Sequence, residues 1–300
     1  MPNDKWYIYS MSKYVPDISS KRWVIISPTR VKRPRTSQTK KKQKDPFAEG
    51  NEDLVADEVF RIGKGKPNEE GWQVRVIKNK YPITDVHEVV IHSPDKEKDI
   101  HKLPVKHVEL ILKAYRERFK FHQKNGQVLI FCNHGEEAGA SLGHPHSQIV
   151  VIPPQINLDS LTREPLNNMV VEEKNFTAYC PDFSQWPYEL WIVPKNEKTV
   201  YGDITDLEIT QLAELFKKMV DQLYKIYKEG DWNIEFGYNY YISPREDWYL
   251  RIIPRFVHRA GFELGTGLSV NLIDPIDASI AYKGVDPEVS KMLEKLKMKF

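Results

Sequence analysis

Apolar and polar positions in the first half of the chain follow first a strand pattern and then a helix pattern. Short apolar runs predict strands at residues 22–27, 72–77 and 87–92. A helix is then predicted to open with Pro104 in its first turn, because apolar residues recur at helical spacing after it. Its apolar face carries Val105, Val108, Ile111, Leu112, Tyr115 and Phe119, and the other side carries Lys106, Glu109, Lys113 and Arg116.

Two more strands are predicted at residues 127–132 and 148–152, and the basic segment from residue 28 to about residue 51 is predicted to be a loop. The second half repeats the order of elements. A strand at 189–194 is followed by a helix that Thr205 and Glu208 open as a capping box. Strands at 233–240 and 248–253 complete the repeat, and a last helix is predicted to open at Asp286 and Pro287.

The two halves are related by one constant offset. Glu88 and Glu189, Pro104 and Thr205, and Pro153 and Pro254 are each separated by 101 positions. A fixed offset across strand, helix and strand indicates a duplicated domain. We therefore predict an α+β protein with a domain at 1–160, a second at 161–300, a linker within 156–173, and one mainly antiparallel sheet with a packed helix in each.

Composition narrows the class of protein. The chain has 300 residues with a net charge of +2, which gives no argument for nucleic-acid binding. No apolar run is long enough for a membrane span. The N-terminus has no pattern of a secretory signal, so we expect a cytoplasmic protein. Cys132 and Cys180 lie in predicted core segments, where buried free thiols are expected rather than a disulfide.

One segment concentrates the candidate chemistry. Residues 133–143 combine three glycines with small side chains, and such a loop lets backbone N–H groups approach a phosphate. His144, His146 and Gln148 follow at alternate positions of an extended segment, which places them on one face. A neutral imidazole attacks phosphorus well near pH 7 when a carbonyl holds its second ring nitrogen. The pattern therefore favours a histidine nucleophile in phosphate chemistry.

Three other interpretations use the same residues. The run 139–143 fits the G-x-S-x-G nucleophile elbow of hydrolases, but that motif needs a helix after the serine, and Pro145 and the apolar run 149–152 oppose one. The pair His144 and His146 could be half of a metal site, which needs further ligands. Both histidines could also simply satisfy hydrogen bonds at a strand end. The glycine-rich loop before them and Gln148 after them favour phosphate chemistry.

The two halves of the chain differ at the histidine-containing run. Moving the run 144–148 by 101 positions leads to residues 245–249, which contain no histidine. We therefore expect the chemistry in the first half and packing or substrate contacts in the second.

The run Gly-Ala-Ser-Leu-Gly-His-Pro-His-Ser-Gln at 139–148 resembles the active-site motif of galactose-1-phosphate uridylyltransferases and nucleotide-sugar phosphorylases, a branch of the histidine-triad (HIT) superfamily. Residues 22–34 resemble the family's N-terminal strand with its arginines, and 79–82 its nucleoside-side segment. Residues 191–195 resemble a strand of the second domain, and 260–267 the C-terminal loop that meets the acceptor. The resemblance implies two tandem HIT-like domains with half-barrel sheets, the second contributing acceptor and sugar contacts.

The resemblance also assigns roles to residues. It implies that His146 is the nucleophile, that Gln148 donates hydrogen bonds to the phosphoryl oxygens, and that the carbonyl of His144 orients the imidazole. The implied nucleotide and phosphate contacts are Arg30, Arg33, Asn79, Asn133, Gly139 and Ser141. The implied sugar or acceptor contacts are Phe262, Glu263, Thr266 and Gly267.

The activity that the resemblance implies is ping-pong transfer between nucleotide sugars. The main hypothesis is a UDP-glucose:hexose-1-phosphate uridylyltransferase. The alternatives are an ADP-glucose type of phosphorylase, which uses inorganic phosphate, and a non-catalytic nucleotide-binding protein on the same fold. The expected partners are a nucleotide sugar and either a sugar phosphate or inorganic phosphate, without nucleic acid or membrane, and relatives imply a homodimer.

The metal ligands of the family do not carry over. Many members hold zinc with a Cys-x-x-Cys pair, a histidine after Ser-Pro-Asp, and the first histidine of the active-site run. The matching segments here are Asp45–Glu52, which keeps the family's Gly-Asn-Glu but has no cysteine, and Ser93–Lys96, so that His144 alone remains. Some members hold a second metal through histidines at the positions of Arg251 and Ile253. We therefore expect no cofactor and no bound zinc or iron.

Overall fold

The computed structural model describes residues 12–17, 22–32, 44–158, 161–163 and 165–284. Arg33 and the helix predicted from Asp286 lie outside these residues. A small hairpin, β1 (Lys13–Asp17) with β2 (Arg22–Ile26), precedes the main sheet. Ser12 and Ser27 tie the hairpin to the backbone oxygens of Ile83 and Pro82.

Within the described residues, ten strands form one antiparallel sheet. Its order is β3-β4-β5-β7-β6-β11-β12-β10-β9-β8. The strands are β3 (Glu58–Gly63), β4 (Trp72–Lys78), β5 (His87–Ile91), β6 (Gln127–His134), β7 (His146–Ile152), β8 (Met169–Glu172), β9 (Phe176–Tyr179), β10 (Leu190–Pro194), β11 (Tyr238–Ile242) and β12 (Leu250–Pro254).

The order of the sheet repeats the duplication in space. Each half supplies five strands in the same relative order, and the halves meet where β6 pairs with β11. The predicted α+β class with mainly antiparallel strands is confirmed. The strands of both halves form one continuous sheet, and the division near residue 160 and the HIT-like character of each half stay predictions.

Two long helices cover one face of the sheet. Helix α1 (Val105–His122) belongs to the first half and α2 (Asp206–Glu229) to the second. Their N-caps are Pro104 and Thr205, so the offset of 101 holds for both helix starts. Both helices share a core with the strands beneath them: Val108, Ile111, Leu112, Phe119, Leu212, Phe216, Met219, Leu223, Val128, Ile130, Ile149 and Val151.

Some predicted positions need correction. Glu109, predicted on the polar side of α1, is buried and forms an ion pair with Lys106. The strand predicted at 233–240 begins only at Tyr238, because Phe236 before it packs against the rings of Tyr224 and Tyr227. The predicted linker at 156–173 contains β8, and β3 and β9 were not predicted at all.

The C-terminal part of the described chain also differs from the expectation. Residues predicted as a loop form the short helix α3 (Gly261–Thr266), and α4 (Pro275–Lys283), opened by Asp274, was not predicted. Cys132 and Cys180 are buried free thiols, as expected. Within the described residues, none of the helices combines the length and apolar character needed to traverse a bilayer.

Candidate active site

Strand β7 sorts its side chains onto two faces of the sheet. Ser147 faces the helices, because its hydroxyl accepts a hydrogen bond from Tyr115 of α1 at 2.7 Å. His146 and Gln148 therefore lie on the opposite face. His146 is nearly buried, with 7% of its surface exposed. The predicted alternation thus brings the two side chains together on one surface.

A single backbone contact fixes the chemistry of the His146 ring. Its Nδ1 lies 2.8 Å from the carbonyl oxygen of His144. A carbonyl oxygen only accepts, so Nδ1 carries the proton and Nε2 presents the lone pair. This tautomer is the one that a nucleophilic imidazole needs.

The strand behind His146 is held from the helix side. Tyr115 also hydrogen-bonds the hydroxyl of Tyr240 at 2.7 Å, and the thiol of Cys132 donates to the carbonyl of His146 at 3.2 Å. Burial raises the pKa of Cys132 well above its ordinary value, with Asp99 adding to the shift. A neutral, buried thiol is a poor nucleophile, so Cys132 does not compete with His146.

The amide of Gln148 is oriented by a histidine that the sequence did not point to. The backbone N–H of Ile83 donates to His87 Nδ1 at 2.9 Å, which places the His87 proton on Nε2. His87 Nε2 lies 2.9 Å from Gln148 Oε1 and therefore donates to it. The Gln148 amide hydrogens are then directed away from His87.

The loop before β7 combines open backbone with an amide side chain. Gly139 has a φ of +80°, and no atom lies within 4 Å of where a Cβ would be, so a ligand can approach its backbone. Asn133 accepts a hydrogen bond from Asn239 at 2.8 Å through its side-chain oxygen, which leaves its amide hydrogens for other partners. Ser141 lies in the same loop, half-buried.

This loop excludes the hydrolase interpretation of the serine. The chain passes from Ser141 through His144 into β7 and not into a helix. A nucleophile elbow requires a strand, a sharp turn and then a helix.

A cavity of about 390 Å³ opens beside Asn133 over β6, β11 and β12. Its wall includes Phe131, Asn239, Tyr241 and Arg245. Cys132, the residue before Asn133, pairs with Ser147 in the register of β6 and β7. The cavity therefore lies next to β7, the strand that carries His146. A mainly apolar cavity with amides at one side suits a small organic ligand.

On the other side of His146, the predicted nucleoside contacts form a linked group. Arg30 donates to the carbonyl of Tyr81 at 2.7 Å, and the N–H of Tyr81 donates to Asn79 Oδ1 at 2.8 Å. The Asn79 amide nitrogen lies 3.1 Å from His87 Nε2, but both atoms are donors, because His87 Nε2 donates to Gln148, so this approach is not a hydrogen bond. The segment at 79–82 thus lies beside His87, the residue that orients Gln148.

Of the four predicted acceptor residues, three lie on α3 and Gly267 is its C-cap, and their hydrogen bonds stay within this segment. Glu263 accepts from the N–H of Ala260, Thr266 donates to the carbonyl of Phe262, and the N–H of Gly267 donates to the carbonyl of Glu263. The Phe262 side chain is 55% exposed. The described chain does not bring these residues into a hydrogen bond with the His146 surface.

The family's metal positions do not fit a metal here. The zinc position is occupied by Asp45, Ala48, Lys96 and His144, and both nitrogens of the His144 ring already have partners. At the second position Arg251 forms a buried ion pair with Glu189. Among the residues that the structure describes, no group of three or more histidine, cysteine, aspartate or glutamate side chains is arranged to hold a metal ion.

The site thus combines an imidazole held at Nδ1 by a carbonyl, an oriented side-chain amide and an open loop of small residues. Residues 82–152 match the family model of the galactose-1-phosphate uridyl transferase N-terminal domain. ADP-glucose phosphorylase from Arabidopsis thaliana is 29% identical over 88% of this chain and 90% of its own length. Galactose-1-phosphate uridylyltransferase from Thermotoga maritima is 26% identical over 69% of this chain and 74% of its own.

Solved structures agree with these relatives. The crystal structure of an ADP-glucose phosphorylase from Arabidopsis thaliana with bound ADP-glucose has a TM-score of 0.69 and 26% identity, covering 91% of this chain and 99% of that chain. A uridylyltransferase structure with 23% identity has the same fold, with a TM-score of 0.69. The chain is thus similar in sequence and in fold to a galactose-1-phosphate uridylyltransferase and to an ADP-glucose phosphorylase.

Proposed function

We propose that this protein transfers a nucleotidyl group from a nucleotide sugar through a covalent intermediate on His146. The observation that carries the proposal is the 2.8 Å contact from His146 Nδ1 to the carbonyl of His144, because it sets the tautomer in which Nε2 carries the lone pair. The relatives' names supply the substrate class, nucleotide sugars.

The first half-reaction exchanges two bonds at phosphorus. His146 Nε2 attacks the α-phosphorus, the P–N bond forms, and the P–O bond to the β-phosphate breaks with departure of the sugar 1-phosphate. In the second half-reaction an oxygen of the acceptor phosphate attacks the same phosphorus, and the P–N bond breaks. Because a sugar phosphate is a good leaving group, donors to the phosphoryl oxygens carry most of the catalysis.

Those donors come from both sides of His146. We assign the amide of Gln148 and the backbone of the loop at 139–143 to the phosphoryl oxygens. Asn133 serves the leaving sugar phosphate beside the cavity over β6 and β11. Arg30 and Asn79 serve the nucleoside side, and by the resemblance alone we assign Arg33, outside the described residues, to the phosphates.

Inorganic phosphate is the acceptor that we favour. The similarity to the ADP-glucose phosphorylase extends over 88% of this chain, and that to the Thermotoga uridylyltransferase over 69%. We therefore prefer the phosphorylase alternative to the hexose-1-phosphate uridylyltransferase. The family model that matches residues 82–152 supports the uridylyltransferase. The acceptor residues on α3 and the adenine base are part of this proposal.

Mass spectrometry of the intact protein tests both covalency and base. After incubation with ADP-glucose and, separately, UDP-glucose, one of them should add one nucleoside monophosphate to the wild type, and His146→Asn should add none. Addition of inorganic phosphate or galactose 1-phosphate to the labelled protein then identifies the acceptor by loss of the label. Stable nucleotide binding without any mass shift would favour the non-catalytic alternative.

A homodimer is part of the proposal and has an observation of its own. The segment at 262–276 exposes six large apolar side chains: Phe262, Leu264, Leu268, Val270, Leu272 and Ile276. Clustered apolar exposure marks interaction surfaces. In a dimer, this segment can contact the nucleotide-binding surface of the partner protomer. Light scattering of the wild type and of Leu264→Glu tests this, and a monomeric wild type would contradict it. A cytoplasmic location stays a prediction.

A further inference from the structure

The ring of His144 is buried and held at both nitrogens. Nδ1 lies 2.7 Å from Asp45 Oδ2, and Nε2 lies 2.8 Å from the carbonyl oxygen of Ser93. The His144 side chain is 1% exposed. A carboxylate and a carbonyl both accept, so each ring nitrogen faces an acceptor and the ring is held between Asp45 and Ser93.

Asp45 connects this ring to a folded loop. Its Oδ1 accepts the N–H of Phe47 at 3.0 Å, and its backbone oxygen accepts from the Asn51 side chain at 2.8 Å. The Phe47 ring packs edge-on against His146 with 5.1 Å between ring centroids, and it also contacts His144. The loop therefore reaches the nucleophile directly and through His144.

The residues at the positions of the zinc ligands suit contact with one another and not the binding of a metal cation. Ala48 has no ligand atom, and Lys96 brings a positive charge to the position of a third ligand. Asp45 Oδ2 contacts the His144 ring at 2.7 Å and Asp45 Oδ1 accepts the N–H of Phe47 at 3.0 Å, so both oxygens of the carboxyl group already have partners.

We propose that the hydrogen-bonded pair of Asp45 and His144 takes the place of the zinc ion of metal-bearing relatives, and that Asp45 is a positioning residue for His146. The pair fixes the His144 ring between the Asp45 loop and Ser93, and the carbonyl of His144 accepts the proton of His146 Nδ1. The contact between Asp45 and His144 thus sets the tautomer and direction of the nucleophile without a metal. The inference rests on the proposed nucleophilic role of His146.

The first experiment removes the carboxylate. Asp45→Ala should lower kcat about 10- to 100-fold, as loss of a group that orients an active-site histidine does, with little change in KM. Glu49→Ala is the matched control: Glu49 lies in the same loop and accepts the N–H of Gly71 at 2.7 Å, far along the chain from His144. The control should keep wild-type kcat at a temperature where both variants are folded.

Nitrogen NMR of the His146 ring gives a readout that loss of stability alone does not produce. In the wild type Nδ1 should be the protonated nitrogen, and in Asp45→Ala the ring should show a mixture of tautomers. A pure Nδ1–H tautomer with unchanged kcat in Asp45→Ala would overturn the inference.

The second experiment rebuilds the metal site. The triple variant D45C/A48C/K96H, with His144, should bind one zinc per chain and recover most of the kcat that Asp45→Cys alone loses. Wild-type protein prepared with zinc should contain none, and its activity should resist a chelator. Stoichiometric zinc in the wild type, or a triple variant that binds zinc and stays as slow as Asp45→Cys, would contradict the substitution.

Failure of this inference is distinguishable from failure of the proposed function. If the wild type is never labelled at His146, the covalent mechanism is wrong. The zinc content and the tautomer of the His146 ring then still report on the contact between Asp45 and His144. If labelling depends on His146 but not on Asp45, the mechanism stands and the positioning role is wrong.

Discussion

The two halves of the sheet carry the same scaffold and use its open face differently. The offset of 101 relates His146, Ser147 and Gln148 of β7 to Asp247, Trp248 and Tyr249 before β12. Ser147 contacts Tyr115 on the helix side, and Trp248 packs against Tyr201 and Phe176 in the helix-side core. The faces correspond, so the residues at the nucleophile position can be compared directly.

In the second half this face is closed by its own side chains. Tyr249 stacks on Trp191 with 4.1 Å between ring centroids, and Arg251 forms a buried ion pair with Glu189 at 2.8 Å. Asp247 has a φ of +56° and accepts the N–H of Lys198 at 2.8 Å. In the first half, Gln148 at the position of Tyr249 is an amide with donors directed away from His87. If the proposed function holds, the chemistry belongs to one copy and the other copy uses the same face for packing.

Breaking the second-half ion pair has the largest expected effect on stability. Glu189→Gln leaves Arg251 buried without its full countercharge, and loss of one partner of a buried pair costs about 3–5 kcal/mol of unfolding free energy. Urea denaturation should show this loss, while kcat well below the melting temperature should stay at the wild-type value. The double variant E189L/R251M should recover much of the stability. A loss of kcat in folded Glu189→Gln would show that the second-half face takes part in catalysis.

The matching change in the first half should affect turnover. The carboxylate that His87→Glu introduces can only accept, so the Gln148 amide must turn its nitrogen towards it and its oxygen towards the phosphate. Loss of one donor to the phosphoryl group lowers kcat about a hundredfold. His87→Gln keeps an N–H donor and should stay within about tenfold of the wild type by the same reasoning.

A double-mutant cycle separates the loss of the donor from the negative charge that His87→Glu adds. In a Gln148→Leu background the amide is absent, so His87→Glu should cost much less than it costs in the wild type. An equal cost in both backgrounds would mean that His87 does not act through Gln148.

The features that were predicted correctly from the sequence are those that local periodicity encodes. The capping box of α2 is present, with the N–H of Thr205 donating to Glu208 at 2.8 Å and the N–H of Glu208 donating back to Thr205 at 3.3 Å. Alternation along 144–148 correctly placed His146 and Gln148 on one face. The strands that were missed, β3, β8 and β9, lie towards the edges of the sheet, and β8 and β9 have only four residues each. Such short runs carry too little periodicity to stand out.

The supporting residues of the site could not be predicted, because their contacts are made across the fold. Asp45 and His144 are 99 positions apart, and His87 and Gln148 are 61 apart. At residues 45–48, comparison with the Cys-x-x-Cys motif of the family showed only that the cysteines are absent. That a carboxylate there meets a buried histidine depends on how the loop packs against β7, and no local pattern contains that information.

A further comparison concerns Glu88, which the offset of 101 relates to Glu189. Glu88 accepts from Arg118 at 2.9 Å and from His122 at 2.8 Å. Burial raises its pKa, but the bonds from His122 and Arg118 outweigh burial, so the pKa lies below the ordinary value of 4.5. A lowered pKa in the folded state contributes stability above the ordinary value, and that stability is lost as the pH falls below it.

Glu88→Gln should therefore flatten the acid side of the stability profile. Between about pH 5 and pH 3 the free energy of unfolding should fall less steeply in Glu88→Gln than in the wild type. Glu117→Gln, at an exposed position of α1, is the control and should keep the wild-type slope. Equal slopes in all three proteins would remove Glu88 from the acid response.

The smallest expected effect lies at Tyr249, the counterpart of Gln148. Its hydroxyl lies 3.3 Å from that of Tyr241, a long and therefore weak hydrogen bond, while its ring keeps the stack on Trp191. Tyr249→Phe should reduce the free energy of unfolding by at most about 1 kcal/mol and leave kcat unchanged. Gln148→Leu, the same kind of loss of a polar group in the first half, should reduce kcat strongly with a similarly small change in stability. If Tyr249→Phe slowed turnover as Gln148→Leu does, the division of labour between the two halves would be wrong, because the closed face would then contribute a group to the reaction.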